Sequence, residues 1–390
     1  MRAAPCLVAA SVVIALVSIA SEAWARDVPV SDSAGLRAAI EGAVAGDVIL
    51  LADGTYSSGD VRCNAMGRAD APIVVRAMRR LGARIELSGL EGFVVTGDHW
   101  HFEDLDVQGV CPPGDGNCEH AFHVSGAQGF VLRRARVRDF HAQLKVNAAS
   151  DGAGGWREPH GGLVEHCEIA DTAPRQTDAP VTKLNIDSGD DWIVRGNFIH
   201  DFHKNGGNEI SYAAFMKSGG RRGLFERNLV VCTLDVDTGG TRLGLSFGGG
   251  GTAPQFCAPA FDASVPCDVE HADGVMRNNV VANCNDVGIY LNRAANTRLL
   301  HNTLVATAGI DFRFATSSGE AHGNVLAGRI RSRDGASFTA GTNLEELGDA
   351  FFTALYRAPS RGDLSLAGDA AMLVGRASAR PDVLDDYCGR

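Results

Sequence analysis

The chain has 390 residues, a formal net charge of −11 at pH 7, 45% hydrophobic and 21% charged residues. An acidic balance of this size argues against general nucleic-acid binding, although a local basic groove on an acidic body still suits a polyanion. The length would allow two ordinary domains, but a repeat architecture overrides that expectation.

Residues 1–25 read as a secretory signal peptide: Arg2 supplies the positive region, Leu7 to Ala20 the apolar stretch, and Ala23-Trp24-Ala25 a small-x-small cleavage pattern. No later segment is apolar enough to span a bilayer. The expectation is a secreted or periplasmic protein with no membrane insertion, working as a monomer.

Ser33 to Ala43 has helical spacing, with Leu36, Ile40 and Ala43 on one side, followed by a turn and the buried strand Val48–Leu51. A helix here would cap the open edge of the first coil. Short strands continue at Ile73–Val75 and Phe93–Val95. A phrase of the form apolar–apolar–Arg–x–Asn–apolar–apolar then recurs, as Ile193–Ile199, Leu224–Val230 and Val275–Val281, with looser copies around Asn302 and Asn324. Such recurrence marks a repeat architecture. Ahead of each copy lies another alternating strand, so each coil holds at least two strands. Coils near 22 residues without helical periodicity predict a parallel β-helix rather than a helical solenoid. The repeated Asn reads as structural: it tolerates left-handed turn geometry and its amides can bond in a column. Residues 148–162, 200–212 and 250–273 are insertions rich in Gly, Asp, Pro and His, expected as loops on one binding face. Residues 26–334 form the β-helix domain in this reading, and 335–390 a less regular capping segment.

Export makes disulfides plausible, and Cys111/Cys118 and Cys257/Cys267 each bracket a short loop. Nine cysteines remain after cleavage, so at least one thiol stays free, with Cys167, Cys232 and Cys284 the buried candidates. No cysteine or histidine cluster has zinc spacing in sequence.

The outward residues of the alternating strands carry the chemistry. They are His123, then Lys145 and Asn147, then Lys183, Asn185 and Asp187, then Lys217, Ser246, Tyr290 with Asn292, and Asp311 with Arg313. Lysine is scarce in this chain, so three on one column suggest an anion-binding groove; the plainer reading is a solvated face with Lys protecting an edge. A Lys near other cations, or partly buried, has a lowered pKa and can act as a general base. Lys217 is the expected base, with Lys145, Lys183 and His203 as weaker alternatives. Removing a proton α to a carboxylate also needs a group to neutralise the enolate charge. Arg242 and Arg221 are nearest in sequence. Asn185, Asp187, Asp190 and Glu209 offer hard oxygen ligands for calcium. Asp235 with Asp237, or Asp187 with Asp190 and Asp191, would serve a glycoside hydrolase. No Gly-x-Ser-x-Gly elbow supports a serine hydrolase.

The start, Leu36-x-x-Ala39-Ile40 followed by Gly46–Leu50, Asp53-Gly54 and Tyr56, resembles the opening of secreted right-handed parallel β-helix proteins, and is distantly similar to the alginate lyase and chondroitin B lyase family. Met216-Lys217-Ser218 with Glu226-Arg227-Asn228 resembles that family's Lys-bearing coil. The resemblance implies β-elimination on an acidic, uronate-containing polysaccharide, with Lys217 as base and calcium on Asn185 and Glu209. The family's next coil carries Arg-His-Gly where this chain has Ser246-Phe247-Gly248, and Arg242 is out of register. The alternatives are a glycoside hydrolase of the same fold and a non-catalytic carbohydrate-binding protein.

Overall fold

The computed structural model describes residues 26–112, 114, 116–236 and 239–390. The signal-peptide reading of residues 1–25 and the candidate Asp237 lie outside them.

A full coil contributes three strands, one to each of three sheets. A coil such as the one from 181 to 200 runs Val181–Asp187, then Ile193–Arg195, then Phe198–His200. Equivalent strands of successive coils pair in parallel, building sheets of 12, 10 and 10 strands. The repeat phrase is one short strand, a corner and a second short strand. The alternating strand ahead of it belongs to the third sheet. Parallel strands joined by such crossovers wind right-handed in nearly all proteins. The chain is a parallel β-helix.

Stacking follows from the period-2 pattern. Ile49, Val75, Phe102, Leu132, Val164, Val194, Phe225, Met276 and Leu299 are register partners along the first sheet, and all are fully buried. Phe93 and Phe122 stack at 5.2 Å between ring centres inside the same core. The helix Ser33–Glu41 is capped by Asp32, whose carboxylate accepts from Gly35 N at 2.7 Å, and it lays Leu36 and Ile40 over the first coil.

The repeated Asn residues form a buried ladder at the corner between the first two sheets. The Nδ2 of Asn197, Asn228, Asn279 and Asn302 donates to the Oδ1 of the next at 2.9–3.0 Å, and Asn324 passes the bond to Asn343 at 2.9 Å. The left-handed residue is not the Asn but its predecessor: Gly196, Arg227, Asn278, His301 and Gly323 all have positive φ. The Asn side chain thereby points inward, where its amide replaces hydrogen bonds that the corner backbone cannot make.

Cys111–Cys118 and Cys257–Cys267 are disulfides as expected. Cys232 and Cys284 also bond to each other, across 52 residues of sequence but adjacent coils, so the reading of these two as free thiols fails. Cys167 is free and buried. After the last coil, the helix Asp349–Leu355 lays Phe352 on Val231, Ala282 and Val305, on the outside of the second sheet. The final segment then runs back along the stack, where Asp382 pairs with Arg298 and Arg380 pairs with Glu320.

Candidate functional site in the groove of the third sheet

Two columns of side chains line the outer face of the third sheet. Register pairing gives His123, Lys145, Asn185, Phe215, Ser246, Tyr290 and Asp311 in one column. The second column pairs Ser125 with Asn147, Asp187 with Lys217, and Asn292 with Arg313. Insertions wall this face on both sides. Residues 148–162 and 250–273 follow the strand ends, and 200–212 precedes them. Trp156 from one loop stacks on Phe261 from another at 4.6 Å between ring centres, tying two insertions together.

Two cavities open between these walls. One, of about 330 Å³, is lined by Lys145, Asn147, Trp156, Asp187, Lys217 and Phe256 among others. The second, of about 510 Å³, is lined by Lys145, Asn185, Lys204, Tyr212, Phe215 and Lys217 among others. Lys145 and Lys217 line both, and Asp187 lies between their amines. Its Oδ2 is bonded to Lys145 Nζ, and its Oδ1 is 3.9 Å from Lys217 Nζ. Burial works against charge on Asp187, but the two ammonium groups outweigh it and hold its pKa below the ordinary carboxylate value. Lys145 also donates to Asn185 Oδ1 at 3.2 Å. Lys217 donates to Gly251 O at 3.2 Å and sits 5.1 Å from the Phe215 ring centre. The glycine run carries that carbonyl over the floor: a Cβ on Gly248, which has positive φ, would lie 1.8 Å from Asn292 O.

Lys183 is not part of this face. The strand bends after Thr182, so Lys183 and Leu184 both point inward, and strict alternation holds only from Leu184 onward. Lys183 is fully buried, donating to Asp171 Oδ2 at 2.6 Å and Phe140 O at 2.7 Å. Burial pushes its ammonium down and the Asp171 carboxyl up. The expected three-lysine column is therefore not formed: Lys145 and Lys217 stand in neighbouring columns, with the Asp187 carboxylate between their amines. A third groove lysine comes from Lys204, which the sequence reading passed over; it donates to Asp178 O at 2.9 Å and Asn208 Oδ1 at 3.0 Å.

The other expected residues are scattered. Arg242 is buried, with Nη1 3.1 Å from His203 Nδ1, and neither faces the cavities. Arg221 is exposed and pairs with Asp273 at 2.6 Å. Tyr290 packs with Leu243 and Val287, and its hydroxyl accepts from Arg313 Nη1 at 3.0 Å. Arg313 is further tied to Asp334, and Asn292 is buried. Glu209 lies exposed on a loop. These residues do not fit calcium: the oxygens of Asn185 and Asp187 already face ammonium groups, which would repel the ion. For the paired-carboxylate reading, Asp190 and Asp191 are engaged by Arg222, and exposed Asp235 by Arg361. His123 sits one coil from Lys145, with Nε2 2.7 Å from Asn147 Oδ1 and Nδ1 3.1 Å from Glu91. Burial opposes its charge, but Glu91 outweighs this and raises its pKa.

No family model and no curated protein matches the chain in sequence. Among solved structures, pectate lyase Pel9A is similar over 90% of this chain and 87% of that one, at 13% identity with a TM-score of 0.62. A rhamnogalacturonan lyase is similar over 85% of this chain and 90% of that one, at 15% identity with a TM-score of 0.54. These likenesses establish the parallel β-helix fold expected from the sequence.

Proposed function

We propose that the groove binds an acidic, uronate-containing polysaccharide and cleaves it by β-elimination. The observation that carries this is the distribution of amines. The chain has only four lysines and a net charge of −11, yet Lys145, Lys204 and Lys217 line one groove. Positive charge focused in a walled cleft raises the local concentration of a polyanion. The fold shared with two enzymes named as polysaccharide lyases supports the reading.

In this reading Lys217 is the base that takes the proton from the carbon next to the uronate carboxylate. The C–H electron pair becomes the new C=C bond, and the glycosidic oxygen leaves with the electron pair of its bond to carbon and takes up a proton from water, while the proton taken by Lys217 is later released to solvent. Lys145, held by Asp187 and Asn185, offsets the negative charge that builds on the carboxylate. It takes the role first assigned to Arg242 or Arg221. Phe215, Trp156 and Phe256 supply the apolar surfaces that keep water from the reacting carbons.

The test is incubation of the purified protein with alginate, pectate, glycosaminoglycans and bacterial exopolysaccharides, reading ultraviolet absorbance and reducing ends together. β-Elimination gives both, hydrolysis gives reducing ends alone, and a pure binder gives neither. Lys217→Ala lowers turnover by about 10²-fold or more, the usual contribution of a positioned base. Full activity in that variant would remove Lys217 from the chemistry.

A further inference from the structure

One cluster on the groove sheet is unused by the chemistry above. Glu91 lies on the strand Glu91–Val95, and His120 and His123 lie on its neighbour His120–Ser125. Residues three apart in a strand ordinarily face opposite ways. Here Ala121 and Phe122 both turn inward, so His120 and His123 share the outer face, and His120 is the register partner of Glu91. Glu91 Oε2 is 3.0 Å from His120 Nδ1 and Glu91 Oε1 is 3.1 Å from His123 Nδ1. One ligand atom from each residue can be chosen so that all lie within 4.8 Å of one another.

We propose that Glu91, His120 and His123 form a three-ligand site for a divalent transition metal of the zinc class, leaving a fourth position for water or a ligand. Zinc bonds of about 2.0–2.2 Å in tetrahedral geometry hold neighbouring ligand atoms about 3.3 Å apart, near the separations seen between the carboxylate and each imidazole. Two imidazoles and one carboxylate are a donor set that suits zinc and disfavours calcium. The surroundings match as well. A metal-bound His ordinarily gives its other ring N–H to a carbonyl or carboxylate. His123 Nε2 lies 2.7 Å from Asn147 Oδ1, which fills that role for one of the two imidazoles. All three side chains are partly exposed, at 13–23%, so an ion can reach them. The site stands apart from the lyase reading, because it is read by metal binding rather than turnover.

The test is calorimetric titration of the chelator-stripped mature chain with zinc, and of a parallel sample with cobalt(II) followed by its visible absorption. The expected result is one equivalent bound with a dissociation constant below about 1 μM, in the range of dedicated protein zinc sites. Glu91→Gln and His120→Asn, checked for retained fold by circular dichroism, each weaken binding by about 100-fold or more. Asn147→Ala, which removes the orienting bond to His123 but none of the three ligands, weakens it by about 10- to 100-fold. No stoichiometric zinc binding by the wild-type chain would overturn the proposal. So would undiminished binding in folded Glu91→Gln, or calcium binding as tight as zinc.

Discussion

Lys183 offers the sharpest test of how this fold treats charge. Its amine has no solvent exposure, and the Asp171 carboxylate is only 1% exposed. The amine holds Asp171 Oδ2 at 2.6 Å and Phe140 O at 2.7 Å, while Gln143 Nε2 donates to Asp171 Oδ1 at 3.0 Å. Lys183→Met keeps the volume of the stem but leaves Asp171 buried without its cation and Phe140 O without its donor. Removing one partner of such a pair costs about 3–5 kcal/mol. For a chain of 390 residues, with an unfolding entropy of about 2.1 cal/mol/K per residue, that is a fall in melting temperature of about 4–6 °C. Replacing both, as Lys183→Met with Asp171→Leu, recovers most of the loss, because the desolvation cost of the ions vanishes with them. The assay is thermal and urea unfolding of the wild type, both single variants and the double variant, as a double-mutant cycle. A Lys183→Met protein as stable as wild type would refute the buried-pair argument. So would a double variant whose loss equals the sum of the singles.

The Asn ladder predicts a gradient from centre to end. Asn279→Ala strips hydrogen bonds from the backbone and side-chain N–H of buried Asn228 and from Phe225 O, at a cost of about 3 kcal/mol or more. Asn343→Ala, at the half-exposed end, costs about 1 kcal/mol because water replaces the lost partner; equal costs in urea unfolding would contradict the ladder. Asp201 governs acid stability. Its Oδ1 accepts from the N–H groups of Leu234, Asp235 and Val236 at 2.8–2.9 Å, anchoring the loop that enters the groove strand Thr241–Phe247. Burial opposes its charge, but His200 and these donors prevail and draw its pKa from 3.8 down to about 2. A depressed carboxylate stabilises above its unfolded pKa and ceases to do so as pH falls through the folded one, so wild type loses about 2 kcal/mol between pH 4 and pH 2. Asp201→Asn flattens that part of the stability–pH curve, measured by urea midpoints; an unchanged slope would contradict the assignment.

The coil pattern was legible because each coil repeats one constraint: apolar side chains at every second position and one Asn at the inner corner. The same regularity misled in two places. Alternation from Lys183 to Asp187 placed Lys183 outside, since a strand that turns a corner puts two successive residues on one side, and nothing in the residue types marks the bend. His120 and Glu91 escaped notice for the same reason, as the inward pair Ala121-Phe122 hides a shared face. Cys232 and Cys284 meet because the insertion 250–273 separates in sequence what the helix stacks in space. Lys145, Asn147, Asp187 and Lys217 share the outer face expected of them, because alternation holds over the last residues of their strands. Arg242 and Arg221 were chosen by nearness in sequence, a poor guide to position in a solenoid.

The scarcity of lysine has a practical side. With Lys183 sealed in the interior, the side-chain amines within reach of reagents are those of the groove. Coupling the protein to a bead or dye through activated esters will therefore modify the very cleft under study. Immobilisation for binding measurements should use a terminal tag, and partial amine labelling becomes a footprint of whatever fills the groove.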